Sequence, residues 1–170
     1  PQLGALVKET DAANKENTLE QMAKKLATLP LAFHPGEQWS YGISVDVQAF
    51  LVERISGVPF DEYVKKNILN PLQMNNTGYV PTDFKNFAAV YRKVNPDSLL
   101  KRIPDEDVNA FNSKPWPLKP GGWGLTSTLD DYMRFAQMLV NKGTVDNVTI
   151  LKPETVTLMS TNQLSDKIGR

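Results

Sequence analysis

Apolar residues recur at helical spacing through much of this sequence, which predicts a mainly α fold with minor β. Three observations carry that reading. Amphipathic stripes run through residues 18–29, 44–56, 60–69 and 129–140. Proline and glycine punctuate the intervals between them. The stretches with strand character, Phe87 to Arg92 and Val148 to Leu151, are short.

Taken in order, residues 1–16 hold an apolar patch, Leu3 to Val7, and then the polar run Asp11 to Asn17; they read as a loop or a frayed helix. From Thr18, the residues Leu19, Met22, Ala23, Leu26 and Leu29 share one helical face, Thr18 and Gln21 fit a capping box, and Pro30 ends the helix at 29. The stretch Leu29 to Asp46 is a Pro/Gly-punctuated loop that sets Trp39 and Tyr41 just before the next helix, where side chains are often presented to a pocket. Ser44 is read as that helix's N-cap, and Asp46 suits its positive end. Val47, Phe50, Leu51 and Ile55 are read as its buried stripe, and Gly57 as its stop. Pro59 opens a third helix on which Phe60, Val64 and Ile68 recur, closed by Pro71. Three helices in this span make a helical subdomain.

Between Leu72 and Pro120 the pattern weakens, and residues 93–120 are rich in Pro, Asn, Asp and Lys without a period. Loops of that length are usually functional or supported by other structure. Gly121-Gly-Trp-Gly-Leu-Thr-Ser-Thr128 then opens the strongest helix. Ser127 or Thr128 can cap it, Asp130 and Asp131 favour its start, Leu129, Met133, Ala136 and Leu139 are read as its apolar side, and Asn141 to Gly143 end it. Pro153 to Met159 reads as a last helix with Val156 and Met159 inward, followed by a polar tail over 161–170.

A length of 170 residues suits one domain, and an apolar fraction of 41% permits a core. Lysine plus arginine and aspartate plus glutamate number 19 each, so no global field draws the chain to nucleic acid, and no Lys/Arg run marks a local patch. The absence of cysteine removes disulfides, thiolate catalysis and Cys-based zinc sites, and a single histidine argues against a His-based metal site; no metal and no cofactor is expected. No apolar run approaches the roughly 18 residues of a membrane span, so no membrane partner is expected either. Nothing in the composition fixes a compartment. The chain starts at Pro1 without an initiator methionine, and the expectation is a single partial domain, 1–170, incomplete at both ends.

Candidate chemistry centres on Tyr41. Buried phenols commonly anchor loops, and a tyrosine acting as a base near neutral pH needs its pKa lowered, usually by a neighbouring ammonium. Ser98-Leu-Leu-Lys101 matches Ser-x-x-Lys, the pattern in which one helical turn brings a hydroxyl beside an amine, but it sits in a polar, Pro-flanked stretch with no amphipathic helix around it. Gly42-Ile-Ser-Val-Asp46 lacks the second glycine of a nucleophile elbow. His34, beside Pro35-Gly36, reads as a turn residue. Gly121-Gly122-Trp123-Gly124 matches neither phosphate-binding glycine order and reads as a tight turn presenting Trp123. Asn75-Asn-Thr77 and Asn147-Val-Thr149 fit a glycosylation sequon that chance readily supplies, and Asp105-Glu-Asp107 reads as solvated surface.

Several ordered segments together resemble the serine β-lactamase-like hydrolases: class C β-lactamases, penicillin-binding proteins and esterases of the same fold. They are Leu31-Ala-Phe-His-Pro-Gly-Glu-Gln-Trp-Ser-Tyr41, Asp46-Val47, Val52 to Phe60, Pro71 to Gly78, Gly121 to Ala136 and Ile150 to Val156. The resemblance implies the helical subdomain portion of the α/β β-lactamase/transpeptidase-like fold. It also implies acyl transfer, in which a serine from an early Ser-x-x-Lys attacks, the lysine and a later tyrosine handle its proton, and backbone amides stabilise the oxyanion. Tyr41 takes the place of that catalytic tyrosine, Trp123 falls at the substrate pocket, and the substrate would be a small ester or amide.

Two departures qualify the match. Ile43 stands where β-lactamases and penicillin-binding proteins frequently have asparagine, which favours the esterase-like branch. No serine precedes Tyr41 except Ser40, so no early Ser-x-x-Lys is present, and the C-terminal Lys/His-Thr/Ser-Gly or Trp-Gly-Gly strand motif is missing. The expectation is therefore a middle piece of such a hydrolase, inactive alone and prone to self-association through an uncovered helical face. The alternative is a non-catalytic domain of that fold that binds a ligand or partner through the Tyr41/Trp123 surface.

Overall fold

In the computed structural model, which describes residues 2–93, 95–96, 98–164 and 168, buried apolar side chains gather in two clusters. Helix α1 (Gln2–Thr10) takes up the start of the chain; the side chains of Leu3 and Val7 in its apolar patch lie outside those described. Helix α2 (Leu19–Leu26) begins on the capping box: Gln21 N donates to Thr18 Oγ1 at 3.1 Å, and Thr18 N donates to Gln21 Oε1 at 2.8 Å. Such a cap is worth about 1 kcal/mol. The helix stops at Leu26 rather than 29. Residue 29 precedes Pro30, whose ring disfavours helical geometry in its neighbour, and Thr28 and Leu29 close in tighter turns on the carbonyls of Lys25 and Leu26.

Helix α3 (Ser44–Ser56) has Ile43, not Ser44, at its N-cap, and ends at Gly57 in the left-handed region. Its buried positions are Asp46 and Ala49, with Phe50 half-buried. Leu51 and Ile55, expected to face inward, are exposed, Ile55 by 84%. The helix is apolar on more than one side, and its packing against α2 and the glycine loop at 121–122 selects the side that carries Asp46 and Ala49. Helix α4 (Phe60–Val64) starts after Pro59 and widens into a π turn, Lys65–Leu69, in which Asn70 N reaches back to Lys65 O. That widening buries Leu69 while Ile68 stays half-buried.

Strand β1 (Tyr91–Arg92) pairs antiparallel with β2 (Lys101–Arg102), Tyr91 opposite Arg102 and Arg92 opposite Lys101. The aperiodic stretch then forms helix α5 (Asp105–Asn112), which the sequence pattern had hidden. Its three acidic residues do lie exposed, in the first turn, where negative charge is favoured. Helix α6 (Leu129–Val140) is capped by Thr128, whose Oγ1 accepts from Asp131 N at 3.3 Å. Asp131 and Met138 are buried, with Phe135 and Leu139 packed around them. Leu129 and Met133, expected on the apolar side, are exposed, Leu129 by 76%. The Asp131 carboxylate accepts from Asn76 N at 2.7 Å and Thr77 Oγ1 at 2.9 Å, which turns the helix to bury that face.

Strands β3 (Thr144–Val145) and β4 (Val148–Thr149) form a hairpin. Its two loop residues, Asp146 and Asn147, have φ 48° and 64°, the signs a two-residue turn needs to match strand twist. Helix α7 (Pro153–Met159) follows, with Val156 half-buried but Met159 exposed. One cluster gathers Ala12, Leu19, Met22, Ala49 and Leu118 between α2 and α3; the other gathers Leu69, Leu72, Met74, Met138 and Val145 between the π turn, α6 and the hairpin. Residues 165–167 and 169–170 of the polar tail lie outside the described residues.

Gly143 joins α6 to the hairpin at φ +100°, and a Cβ there would stand 2.0 Å from Leu151 O. Gly143→Ala is expected to lower unfolding free energy by about 3 kcal/mol or more, since both backbone strain and a backbone clash oppose it. Gly42→Ala, with nothing within 4 Å, should stay within about 0.5 kcal/mol of the parent. Equal urea midpoints for the two variants would contradict this placement.

Candidate active site

The site is built on the first turn of α3. Gly121 and Gly122 pass so close above it that a Cβ on Gly121 would stand 2.5 Å from Val45 O and 3.1 Å from Ala49 Cβ. Only glycine permits that approach. There Gly122 N donates to Asp46 Oδ1 at 2.9 Å, and the carboxylate, buried to 3% exposure, also sits at the positive end of its own helix. A charge-assisted bond of this kind contributes about 1.5–3 kcal/mol. The sequence marked Asp46 as a helix-end residue and as part of a resembling segment; its long-range partner, 76 positions away, left no local signal.

Tyr41 lies in the segment that enters α3 and is 89% exposed; Trp39 beside it is also exposed. Ahead of them, His34 O accepts from Glu37 N at 3.1 Å and His34 N donates to Glu37 Oε2 at 3.1 Å, so His34 is a turn residue. Trp123 is half-buried and packs on the α2–α3 cluster. No hydrogen bond or ring contact joins Tyr41 to Trp123 among the described residues. What joins their segments is the Asp46–Gly122 bond.

Behind Trp123 stands an aromatic wall. Its ring meets Trp116 edge-on at 5.5 Å and Phe111 at 6.1 Å, and Phe111 meets Trp116 at 4.9 Å. Lys15 lies over both, its Nζ 3.9 Å from the Phe111 centroid and 4.0 Å from that of Trp116, and donates to Phe111 O at 2.9 Å. The Trp116 indole N–H is buried without an acceptor among the described residues, and nothing in the structure explains it. Tyr79 OH donates to Pro120 O at 2.6 Å, while Asn112 Nδ2 donates to Tyr79 O at 2.6 Å and to Gly124 O at 3.0 Å. Gly78 and Thr126 exchange backbone bonds of 3.0 and 2.8 Å, completing the frame around the glycine loop. Burial, reinforced by the charges of Asp61 and Asp46, pushes the Tyr79 phenol well above its ordinary value.

The other candidates separate from this frame. Ser98 lies in a bend, where its Oγ donates to Asn95 O at 2.9 Å, and Lys101 lies in β2. No helical turn brings the two together, and extended residues three apart diverge by about 10 Å. Thr77 of one sequon is bonded to Asp131, and Thr149 of the other to Thr144 across the hairpin. No metal-holding cluster of His, Cys, Asp or Glu occurs among the described residues, and no helix there is long and apolar enough to cross a membrane.

Comparison with known proteins places this geometry in context. Residues 2–169 match the protein-family profile described as Beta-lactamase. The chain is 37% identical over 146 residues to Protein Rv1367c of Mycobacterium tuberculosis, covering 85% of this chain and 36% of that protein. It is 29% identical over 128 residues to Esterase EstB of Burkholderia gladioli, covering 68% of this chain and 33% of that one. Among solved structures, EstCE1, described as a hydrolase with promiscuous acyltransferase activity, superposes with a TM-score of 0.68 at 26% identity, over 84% of this chain and 40% of that one. Simvastatin synthase LovD of Aspergillus terreus superposes with a TM-score of 0.69 at 23% identity, over 88% of this chain and 37% of that one, a likeness of fold. The chain thus spans 36% and 33% of the length of these two curated relatives.

Asp46→Ala removes the acceptor of Gly122 N–H and is expected to cost about 2 kcal/mol, with Asp46→Asn, which keeps a neutral acceptor, costing less than half of that. Urea unfolding of the three proteins decides it; equal losses for Ala and Asn would show that the bond is not what holds the loop. Because the Tyr79 phenol is raised in the folded state, its contribution is complete below the ordinary tyrosine pKa of about 10 and is lost as pH rises toward the folded value. The stability difference between the parent and Tyr79→Phe should therefore shrink above about pH 10, and a difference that grows there would reverse the assignment.

Proposed function

We propose, from the premise that this chain belongs to the β-lactamase family, that it supplies the tyrosine and one pocket wall of an esterase-type acyl hydrolase. The family includes esterase and acyltransferase relatives. The observation that carries the reading is the docking of the Gly121–Gly124 loop onto α3 through Asp46, which ties the Trp123 wall to the helix that Tyr41 enters. Ile43, one residue after Gly42, offers no amide to a lactam, and this supports the esterase branch over lactam hydrolysis.

In this reading the nucleophilic serine and its lysine belong to parts of the protein outside this sequence. The serine hydroxyl attacks the ester carbonyl, and the Tyr41 oxygen takes the hydroxyl proton and passes it to the departing alkoxide as the C–O bond breaks. Water then cleaves the acyl-serine ester by the same proton path in reverse. Tyr41 is free to do this only with an ammonium beside it to lower its pKa, which is the role assigned to that lysine. Trp123 shapes the acyl pocket, with Trp116 and Phe111 holding its ring.

The partial-domain reading has further support in the apolar side chains that face solvent: Val45, Leu51 and Ile55 on α3, and Leu129, Tyr132, Met133 and Val140 on α6. The rest of the protein covers them, and the isolated chain self-associates through them.

In the full-length protein, Tyr41→Phe is expected to lower kcat for p-nitrophenyl acetate by about 100-fold or more, while the 170-residue chain alone shows no Tyr41-dependent turnover. Tyr41-dependent hydrolysis by the isolated chain would overturn the partial-site proposal. A full-length protein indifferent to Tyr41→Phe would favour the non-catalytic, ligand- or partner-binding alternative.

A further inference from the structure

The β1–β2 ribbon and α5 line an open cleft of about 630 Å³, with Phe111, which also packs on Trp116, in its wall. Antiparallel pairing fixes which side chains share its floor. Arg92 stands opposite Lys101, and two pairs further along Val90 stands opposite Ile103, held by Ile103 N donating to Val90 O at 2.8 Å. With a side-chain period of two, these four share one face of the ribbon, and Tyr91 and Arg102 share the other. Arg102 is spent on Asp105, its guanidinium 2.8 and 2.9 Å from the two carboxylate oxygens. Val108 and Phe111 of α5 supply the facing apolar wall.

Two like charges directly opposite one another on a ribbon destabilise it. Neither the Arg92 guanidinium nor the Lys101 ammonium forms an ion pair or hydrogen bond with another described residue. Among the described lining residues Asp107 is the one carboxylate, set against Arg92, Lys101 and the Asp105-paired Arg102, so positive charge remains in excess. Val90 and Phe111 leave much of their apolar surface open in the same cleft. An apolar floor that ends in two unneutralised cations is complementary to a hydrocarbon chain that ends in one anion.

We infer that the face bearing Val90, Ile103, Arg92 and Lys101, together with Val108 and Phe111, binds the carboxylate end of an amphiphilic molecule. The carboxylate bridges Arg92 and Lys101, relieving their repulsion, and the chain lies along Val90, Ile103 and Val108 toward Phe111. Because Phe111 also touches Trp123, the bound chain points toward the aromatic wall. The carboxylate can be that of a free alkyl carboxylate or the far end of an ester. The inference rests on the ribbon's register and charge, and it stands whether or not acyl transfer occurs.

Calorimetry on the full-length protein tests it with decanoate, 1-decanol and acetate as probes. Decanoate should bind, more weakly as salt is raised, with 1-decanol and acetate each at least about tenfold weaker because each lacks one half of the recognition. Arg92→Gln with Lys101→Gln, two exposed substitutions, should weaken decanoate about tenfold or more and leave 1-decanol unchanged. Decanoate that fails to bind, binds no better than 1-decanol or acetate, or ignores the double substitution overturns the site. The two sources separate by kinetics: a KM for mono-p-nitrophenyl sebacate well below that for p-nitrophenyl decanoate supports an ester-borne carboxylate, and equal KM values with decanoate binding intact support the free acid. A protein with no ester turnover that still binds decanoate in this manner refutes the acyl-transfer reading and leaves the site standing.

Discussion

A carboxylate–amide contact, Asp46 to Gly122, holds the first turn of α3 against the glycine loop. The helix α3 that follows Tyr41 and the glycine loop that carries Trp123 are far apart in sequence, and each belongs to a stretch that could pack in other ways. The contact works because three conditions hold together. Gly121 and Gly122 have no side chains to keep the loop away, the carboxylate sits in the first turn where the helix favours negative charge, and Asp46 itself is buried. Asn112 and Tyr79 then secure the loop from its other side.

Helix α6 repeats the device. Asp131, like Asp46, is the third residue of its helix, is buried, and accepts the backbone N–H of a distant loop, here Asn76. In both helices the buried aspartate fixes the rotation about the helix axis. That rotation explains why the outward sides carry large apolar residues: Leu51 and Ile55 on α3, Leu129 and Met133 on α6. Two helices held by their first turns, and apolar on the side away from the hold, are suited to receiving another layer of protein. Phe111 lines the cleft beside the cation-bearing ribbon and also packs near Trp123, so the aromatic wall links that cleft to the glycine loop.

Much of this was legible from local pattern. The Thr18–Gln21 capping box, the Gly57 stop, the Thr128 cap and the positions of α2, α3 and α6 follow from chemistry contained within one or two turns. The turn at His34 and the remoteness of Ser98 from any helix were equally local matters. The inward faces were not, because α3 and α6 are apolar on more than one side and long-range bonds to aspartate choose between them. Helix α5 was hidden for a related reason: its sequence, Asp-Glu-Asp-Val-Asn-Ala-Phe-Asn, has few apolar residues, and its fixed points are Asn112 bonding to Tyr79 and Gly124 and Phe111 packing on two tryptophans. Tyr41 and Trp123 were singled out as candidates by the order of motifs along the chain, whereas the long-range bond of Asp46, which relates their segments, left no local sign.

Amide hydrogen exchange at Gly122, followed by NMR, tests that relation most directly. If the Asp46 carboxylate holds the loop, Gly122 N–H exchanges slowly in the parent and at the rate of an unprotected amide in Asp46→Ala, while the Gly78 and Thr126 amides keep their protection in both. A Gly122 amide that exchanges freely in the parent, or that stays protected without Asp46, would contradict the account.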